Sequence, residues 1–245
     1  MLLLICLAIL ATIYAVTLAT KIIKHENEMA AARNELAALP QLETAQNAPV
    51  WSTLGIYEDK MRAINPDYVG LLTTGGADYF PVVRGSDNEK YLTTSYAGDE
   101  NMLGAVFMDY RCVGDNLPHL IIYAHNAIDL SGNSYFFNGL NYFLEPDYLA
   151  ANPIIGYIES DLLYEFEIFS ARVTDTNDPA YQLDFSGENA FEDFLNACAA
   201  PENAPQILTL STCYVQGNDD ARIIVQGALR EVLGVDRARS TVGER

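Results

Sequence analysis

Between Val69 and Gln226 the chain carries eight mostly short apolar runs: Val69–Thr73, Tyr79–Val83, Ala105–Asp109, Leu120–Ala124, Ile154–Ile158, Leu163–Val173, Gln206–Thr212 and Arg222–Gln226. Each is bounded by Gly, Pro, Asn or Asp, the punctuation expected of strands rather than helices. Eight strands with few long helices predict a mainly β fold, an antiparallel sandwich or a barrel, and closure into a barrel leaves no exposed edge. Two helical stretches interrupt the series, near Tyr135 to Tyr148 and over Asn189 to Ala199. In the second, Phe191, Phe194, Leu195 and Cys198 share one face, so Cys198 is expected to point into the core.

Cys213 directly follows the seventh run, and the eighth opens on Arg222, nine positions later. A thiol at a strand end is held by rigid backbone beside a loop, a placement that suits a nucleophile. A free cysteine is also among the most buried residue types, so a core role stands beside the reactive one until partners are found. The other cysteines are Cys6, Cys112 and Cys198. They form no CxxC pair and no Cys/His cluster at metal-ligand spacing, so neither a zinc site nor a redox motif is expected.

A cysteine nucleophile needs a group that governs its protonation and protonates the leaving amine, and histidine suits both roles. There are three histidines. His25 lies in the N-terminal stalk, and His119 precedes the fourth run at a loop edge. His125 ends the stretch Leu120–Asn126 and so occupies a strand terminus, as Cys213 does. A surface or structural role competes evenly with a catalytic one. Arg222 offers a guanidinium for a developing oxyanion or for substrate carbonyls. Pairing with Asp219 or Asp220, or snorkelling of a strand-end cation, is its alternative. No GxSxG elbow, phosphate-binding glycine loop or paired-carboxylate motif is present, and no cofactor is implied.

The N-terminus carries a different signal. Residues 1–20 are uncharged and long enough to cross a bilayer as a helix, which predicts a transmembrane anchor. Lys21, Lys24 and Arg33 follow it, a distribution that by the positive-inside rule opposes an extracellular domain, and a basic segment upstream of Met1 is expected to resolve the conflict. Residues 21–49 read as a stalk helix to Leu39 and a polar linker from Pro40 to Pro49. Val50–Ile64 reads as a helix, with Trp51, Leu54, Tyr57, Met61 and Ile64 three and four apart. Residues 50–229 form the predicted catalytic domain, and residues 230–245, with Arg230, Arg237, Arg239 and Arg245, a partly disordered tail. A net charge of −19 excludes a nucleic-acid binder, because phosphate recognition needs clustered Lys and Arg.

Several ordered segments together resemble the sortases of the class B type: Asn65–Gly70, Tyr79–Asn88, Tyr91–Leu92, Gly104–Arg111, Ile121–Asn126 and Leu208–Cys213 followed by Arg222–Val225. The resemblance runs from Asn65 to Leu229. It implies a closed eight-stranded barrel with N-terminal helices and a helix between strands six and seven. It also implies a membrane-anchored extracellular cysteine transpeptidase. Such an enzyme cuts the C-terminal sorting signal of a secreted surface protein and joins that protein to a peptidoglycan amine.

On that resemblance Cys213 attacks a threonine carbonyl to form a thioacyl-enzyme, His125 passes protons, and Arg222 holds the substrate and its oxyanion. Ser211 matches a substrate-contact position, and Thr212, Tyr181 and Asn126 are further contact candidates. Ala124 departs from the glycine common before the histidine. A pilin lysine as acceptor, release to water by a protease, and a binder of sorting signals without turnover are the competing readings.

Overall fold

Residues 2–45, 48–49, 51–75, 79–129, 131–214, 216 and 218–234 are described by the computed structural model. All eight anticipated runs are strands of one closed barrel. They are β1 (Tyr68–Thr73), β2 (Tyr79–Val83), β3 (Val106–Met108), β4 (His119–Tyr123), β5 (Ile154–Glu159), β6 (Leu162–Thr174), β7 (Ile207–Cys213) and β8 (Arg222–Gly234). Around the barrel the order is β6-β8-β7-β4-β3-β2-β1-β5, and β5 pairs again with β6.

The barrel is mixed, which corrects the antiparallel expectation. β4 with β7 and β2 with β3 run parallel, and the other neighbours are antiparallel. Strand direction depends on which strands pair, and partner choice leaves no trace in the local pattern of any one run. Alternate residues of every strand, among them Leu72, Val82, Met108, Ile122, Tyr157, Phe166, Leu210 and Val225, meet inside the barrel.

The helices differ from expectation in detail. α1 (Leu2–Ala38) is one continuous helix, so no break separates the apolar first twenty residues from the stalk. Its length and composition over Ile5–Ala38 suffice to cross a membrane. α2 (Trp51–Ile64) buries Leu54, Tyr57 and Met61 against Tyr68, Leu71, Tyr91 and Phe107 on the outside of the barrel. The stretch expected to be helical from Tyr135 is instead a short strand (Ser134–Phe136), a three-residue-per-turn helix (Phe137–Leu144) and α3 (Pro146–Ala151). Phe137, Leu140 and Phe143 recur every third residue, a spacing that a three-fold helix eclipses along one line, which here enters the barrel core.

α4 (Ala190–Ala197) lies in the connection between β6 and β7 and buries Phe194 and Leu195, with Cys198 beside them in the same cluster. β8 continues past Leu229 to Gly234 by pairing with Leu162–Glu165, so the folded part outruns the expected boundary. The rest of the anticipated tail, residues 235–245, lies outside the described residues, as do Gln46 and Asn47 of the linker and Val50 at the expected start of the second helix.

The loop between β2 and β3 turns on Gly104. Its φ is +60°, and a Cβ there would strike the Tyr91 carbonyl oxygen and crowd that of Leu92. Gly104→Ala is expected to cost about 1–3 kcal/mol of stability, measured as a lowered urea midpoint at unchanged slope.

Candidate active site

β4 and β7 are parallel and in register, with Tyr123 opposite Ser211, so both strands end at the same rim of the barrel. The pairing extends one residue further, where Ala124 N–H reaches the Ser211 carbonyl at 3.4 Å and Thr212 Oγ1 donates to the Ala124 carbonyl at 2.7 Å. His125 and Cys213 are the next residues out. β8 runs antiparallel to β7 and therefore begins where β7 ends, placing Arg222 directly opposite Cys213. The period of two in β7 and β8 keeps Leu208, Leu210, Ile223 and Val225 in the core and puts Ser211, Cys213 and Arg222 on the outer face.

These side chains line a cleft of about 290 Å³. Its walls hold His125, Cys213 and Arg222, the expected contacts Ser211, Thr212 and Tyr181, and also Asn88, Leu92, Phe107, Tyr123, Ala124 and Thr176. Cys213 is an exposed free thiol, and Cys112 and Cys198 are free and buried. Burial pushes the Cys112 thiol up to about 11 and raises that of Cys198, so at neutral pH both are held protonated and inert. The His125 ring bonds through Nε2 to the Leu92 carbonyl oxygen at 2.7 Å. A carbonyl only accepts, so Nε2 carries a proton and Nδ1 is the ring's other proton site.

Arg222 Nη1 donates to the carbonyl oxygens of Asp219 and Ala221 at 2.8 and 2.9 Å. Among the described residues no carboxylate lies within ion-pair distance of Arg222. The anticipated carboxylate pairing is therefore absent there, and the guanidinium keeps its charge for the cleft. The loop from Tyr214 to Ala221 is described except at Val215 and Gly217.

The expected contact residues separate into two kinds. Ser211 and Tyr181 form a hydroxyl pair at 2.8 Å in the cleft wall. Thr212 spends its hydroxyl on the Ala124 carbonyl, and Asn126 donates to the Cys213 carbonyl at 2.9 Å while accepting from Asn138 at 2.7 Å. Asn126 thus lies behind the thiol, outside the cleft lining. Asp109 is buried behind the opposite wall and accepts from Asn88, Tyr123 and Arg111. Burial raises the Asp109 pKa, but the Arg111 guanidinium, the Arg111 N–H and Asn88 outweigh it and hold the carboxyl below its usual range. One buried charge thereby fixes two residues of the cleft wall.

Of the residues sequence reasoning missed, Tyr123 was accessible, since it shares the outward parity of His125 in the fourth run. Leu92 and Asn88 had no local signal, because they reach the site through a long loop and Leu92 acts through its carbonyl. Among the described residues no three His, Cys, Asp or Glu side chains gather in a group that would hold a metal.

His119, placed by its sequence at a loop edge, is buried at the start of β4. Its Nδ1 donates to the Gln182 carbonyl at 2.7 Å, and its Nε2 accepts from Thr209 Oγ1 at 2.8 Å. Thr209 in turn accepts from Gln226 at 3.1 Å, and Gln226 accepts from Arg172 at 2.9 Å. Arg172 also pairs with Asp178 at 2.8 Å. This row clamps both sides of the connection that carries Tyr181 over the cleft.

A closed barrel whose strand ends gather a thiol, an imidazole and a guanidinium about one cleft has the parts of a cysteine acyl-transfer enzyme. No protein-family model matches the chain. It is 30% identical over 199 residues to sortase B of Listeria monocytogenes, covering 75% of this chain and 79% of that protein. It is 28% identical over 178 residues to sortase B of Staphylococcus aureus, covering 68% of this chain and 71% of the relative. The solved structure of Clostridium perfringens sortase B matches with a TM-score of 0.63 at 25% identity, over 71% of this chain and 100% of that one. The chain belongs to the class B sortases and is a cysteine transpeptidase of that family.

Burial drives the His119 pKa down to about 4, against the pull of the Gln182 carbonyl and the Asp109 charge. The unfolded chain therefore binds the extra proton first, at its ordinary value of 6.5. Stability is expected to fall as pH drops from 6.5 towards 4 by about 3 kcal/mol from this group. Urea denaturation across that range should show a shallower slope in His119→Asn.

Proposed function

We propose that the chain is a membrane-anchored sortase in which Cys213, His125 and Arg222 carry the reaction on the sorting signal of secreted surface proteins. The observation that carries this reading is the parallel register of β4 and β7, with Arg222 paired across from Cys213. The Cys213 thiolate attacks the carbonyl carbon of a threonine in the sorting signal, and the Arg222 guanidinium faces the oxygen on which negative charge builds. The C–N bond then breaks. The His125 imidazolium gives its Nδ1 proton to the departing amine while Nε2 stays bonded to Leu92, and the surface protein remains as a thioester on Sγ. An incoming amine attacks that thioester and returns a proton to His125. The thiolate leaves, and both groups regain their starting protonation.

Ser211, Tyr181 and Thr176 line the groove for the signal, with the β6–β7 connection as its roof. The acceptor is a peptidoglycan amine. A sortase B has been solved in complex with triglycine, at 25% identity and TM-score 0.62 to this chain. A second reading is a pilin lysine as acceptor, favoured by the match to a Streptococcus pyogenes class B sortase involved in pilus biogenesis, 26% identical with TM-score 0.59. α1 is long and apolar enough to supply the anchor, and a substrate among secreted surface proteins requires the catalytic domain on the outer side of the cell membrane.

The test incubates the full chain with a library of sorting-signal peptides, with and without triglycine or a pilin lysine peptide, and follows products by mass spectrometry. Added amine is expected to convert the released acid into an amide-linked product, with a thioacyl adduct on Cys213. Cys213→Ala should abolish both products, and Arg222→Ala should lower kcat by about 10²–10³-fold. Cleavage indifferent to every amine would mark a hydrolase instead.

A further inference from the structure

A helix that only tethers a domain to a membrane has no need to bury side chains in that domain. α1 does bury them: Met29 and Ala32 are 2% and 3% exposed and pack around Leu103, with Ala127, Tyr135 and Phe136 beside them. Two of the pieces of chain it packs on also grip His125. One is the loop from β2 to β3, which supplies the Leu92 carbonyl to Nε2. The other is the hairpin Asn126–Ile128 with Ser134–Phe136, which starts at the residue after His125. The hairpin closes back on His125 itself through Phe137 N–H to the His125 carbonyl at 3.1 Å.

Polar contacts run to each piece. Arg33 Nη1 donates to Asp129 Oδ2 at 2.9 Å. Asp129 is buried and centres the hairpin turn, accepting also from the Ser131 and Asn133 N–H groups, the Asn133 amide and the Tyr135 hydroxyl. On the other side Glu35 Oε2 accepts from Asn101 at 2.8 Å. Asn101 is itself tied to Thr93, the residue after Leu92, by its N–H at 2.9 Å, and it holds the Leu103 N–H at 2.8 Å. Helix, loop and hairpin thus form a three-sided frame with the imidazole at its far corner.

We propose that the membrane-proximal turns of α1, through Met29, Ala32, Arg33 and Glu35, are a positioning element that sets His125 against Cys213. The inference rests on the reading of His125 as the acid–base group. Arg33 and Glu35 touch neither substrate nor reacting atoms; they act through the frame. Removing their grip leaves the cleft and the thiol in place but lets the imidazole drift from the leaving nitrogen. The chemical step suffers more than substrate binding.

The experiment uses the full chain in phosphatidylglycerol vesicles with the cleaved sorting peptide, comparing Arg33→Ala, Arg33→Lys and the undocking variant Ala32→Asp. Lys24→Ala is the control, since Lys24 is exposed and pairs with Glu28 along the helix. Arg33→Ala and Ala32→Asp are expected to lower kcat by about tenfold or more with KM changed by less than about twofold, and Arg33→Lys to recover most of the loss. Wild-type kcat in both Arg33→Ala and Ala32→Asp overturns the proposal. So does a loss shared equally by kcat and KM that Arg33→Lys does not repair. Turnover that survives His125→Ala would instead overturn the assignment of the acid–base group.

Discussion

The parallel pairing of β4 and β7 is the constraint on which the site depends. Antiparallel neighbours end at opposite rims, so in an all-antiparallel barrel two adjacent strands cannot both deliver their last residue to one place. Here the register of Tyr123 with Ser211 brings two C-terminal ends together, and the antiparallel return of β8 adds its first residue to the same point. Backbone hydrogen bonds set where the three residues leave the sheet, and the Leu92 carbonyl then holds the His125 ring. A cysteine, a histidine and an arginine are therefore held to the tolerance of a sheet, as acyl transfer between fixed groups requires.

A parallel pair needs a long crossover, and the chain uses that requirement. The connection from β6 to β7 returns over the outer face of the barrel and carries Tyr181 to the cleft. Its underside would be a greasy contact were it not for the polar row from Arg172 through Gln226 and Thr209 to His119. Every member of that row has a partner of the right kind, donor to acceptor, ending on the Gln182 carbonyl. A fully satisfied buried network of this sort fixes one arrangement of the cover, where apolar packing by Phe185, Phe191 and Phe194 alone would tolerate several. Asp109 does the same on the opposite wall by holding Asn88 and Tyr123 with one carboxylate. The cleft is thus rigid on both sides and open at the rim.

Much of this was legible in the chain. The eight strands stood out because each is an apolar run of strand length between Gly, Pro, Asn or Asp, and local chemistry decides that pattern. The helix in the β6–β7 connection and the inward face of Cys198 followed from helical spacing. His119 was misplaced because a histidine beside Pro118 looks like a loop residue. Only the neighbouring strand, through Thr209, and the returning connection, through Gln182, make it a buried one. After Tyr135, Phe137, Leu140 and Phe143 recur every third residue, a period close to that of the α-helix, and only their packing into the barrel core separates the two. The docking of α1 had no signal at all, since Met29 and Ala32 form too thin a stripe to announce a partner.

By itself the sequence determined that the chain would hold eight strands behind a long apolar helix, with a thiol, an imidazole and a guanidinium each at the end of a strand. Those properties follow from composition and period within single segments. Which strands are neighbours, which way they run, and whether three strand ends share a rim were decided only by the tertiary structure. They depend on pairing between segments some ninety residues apart, as with Ser211 and Tyr123. No local pattern records the partner of a strand, so Cys213 became a candidate nucleophile in the sequence and acquired its neighbours only in the fold.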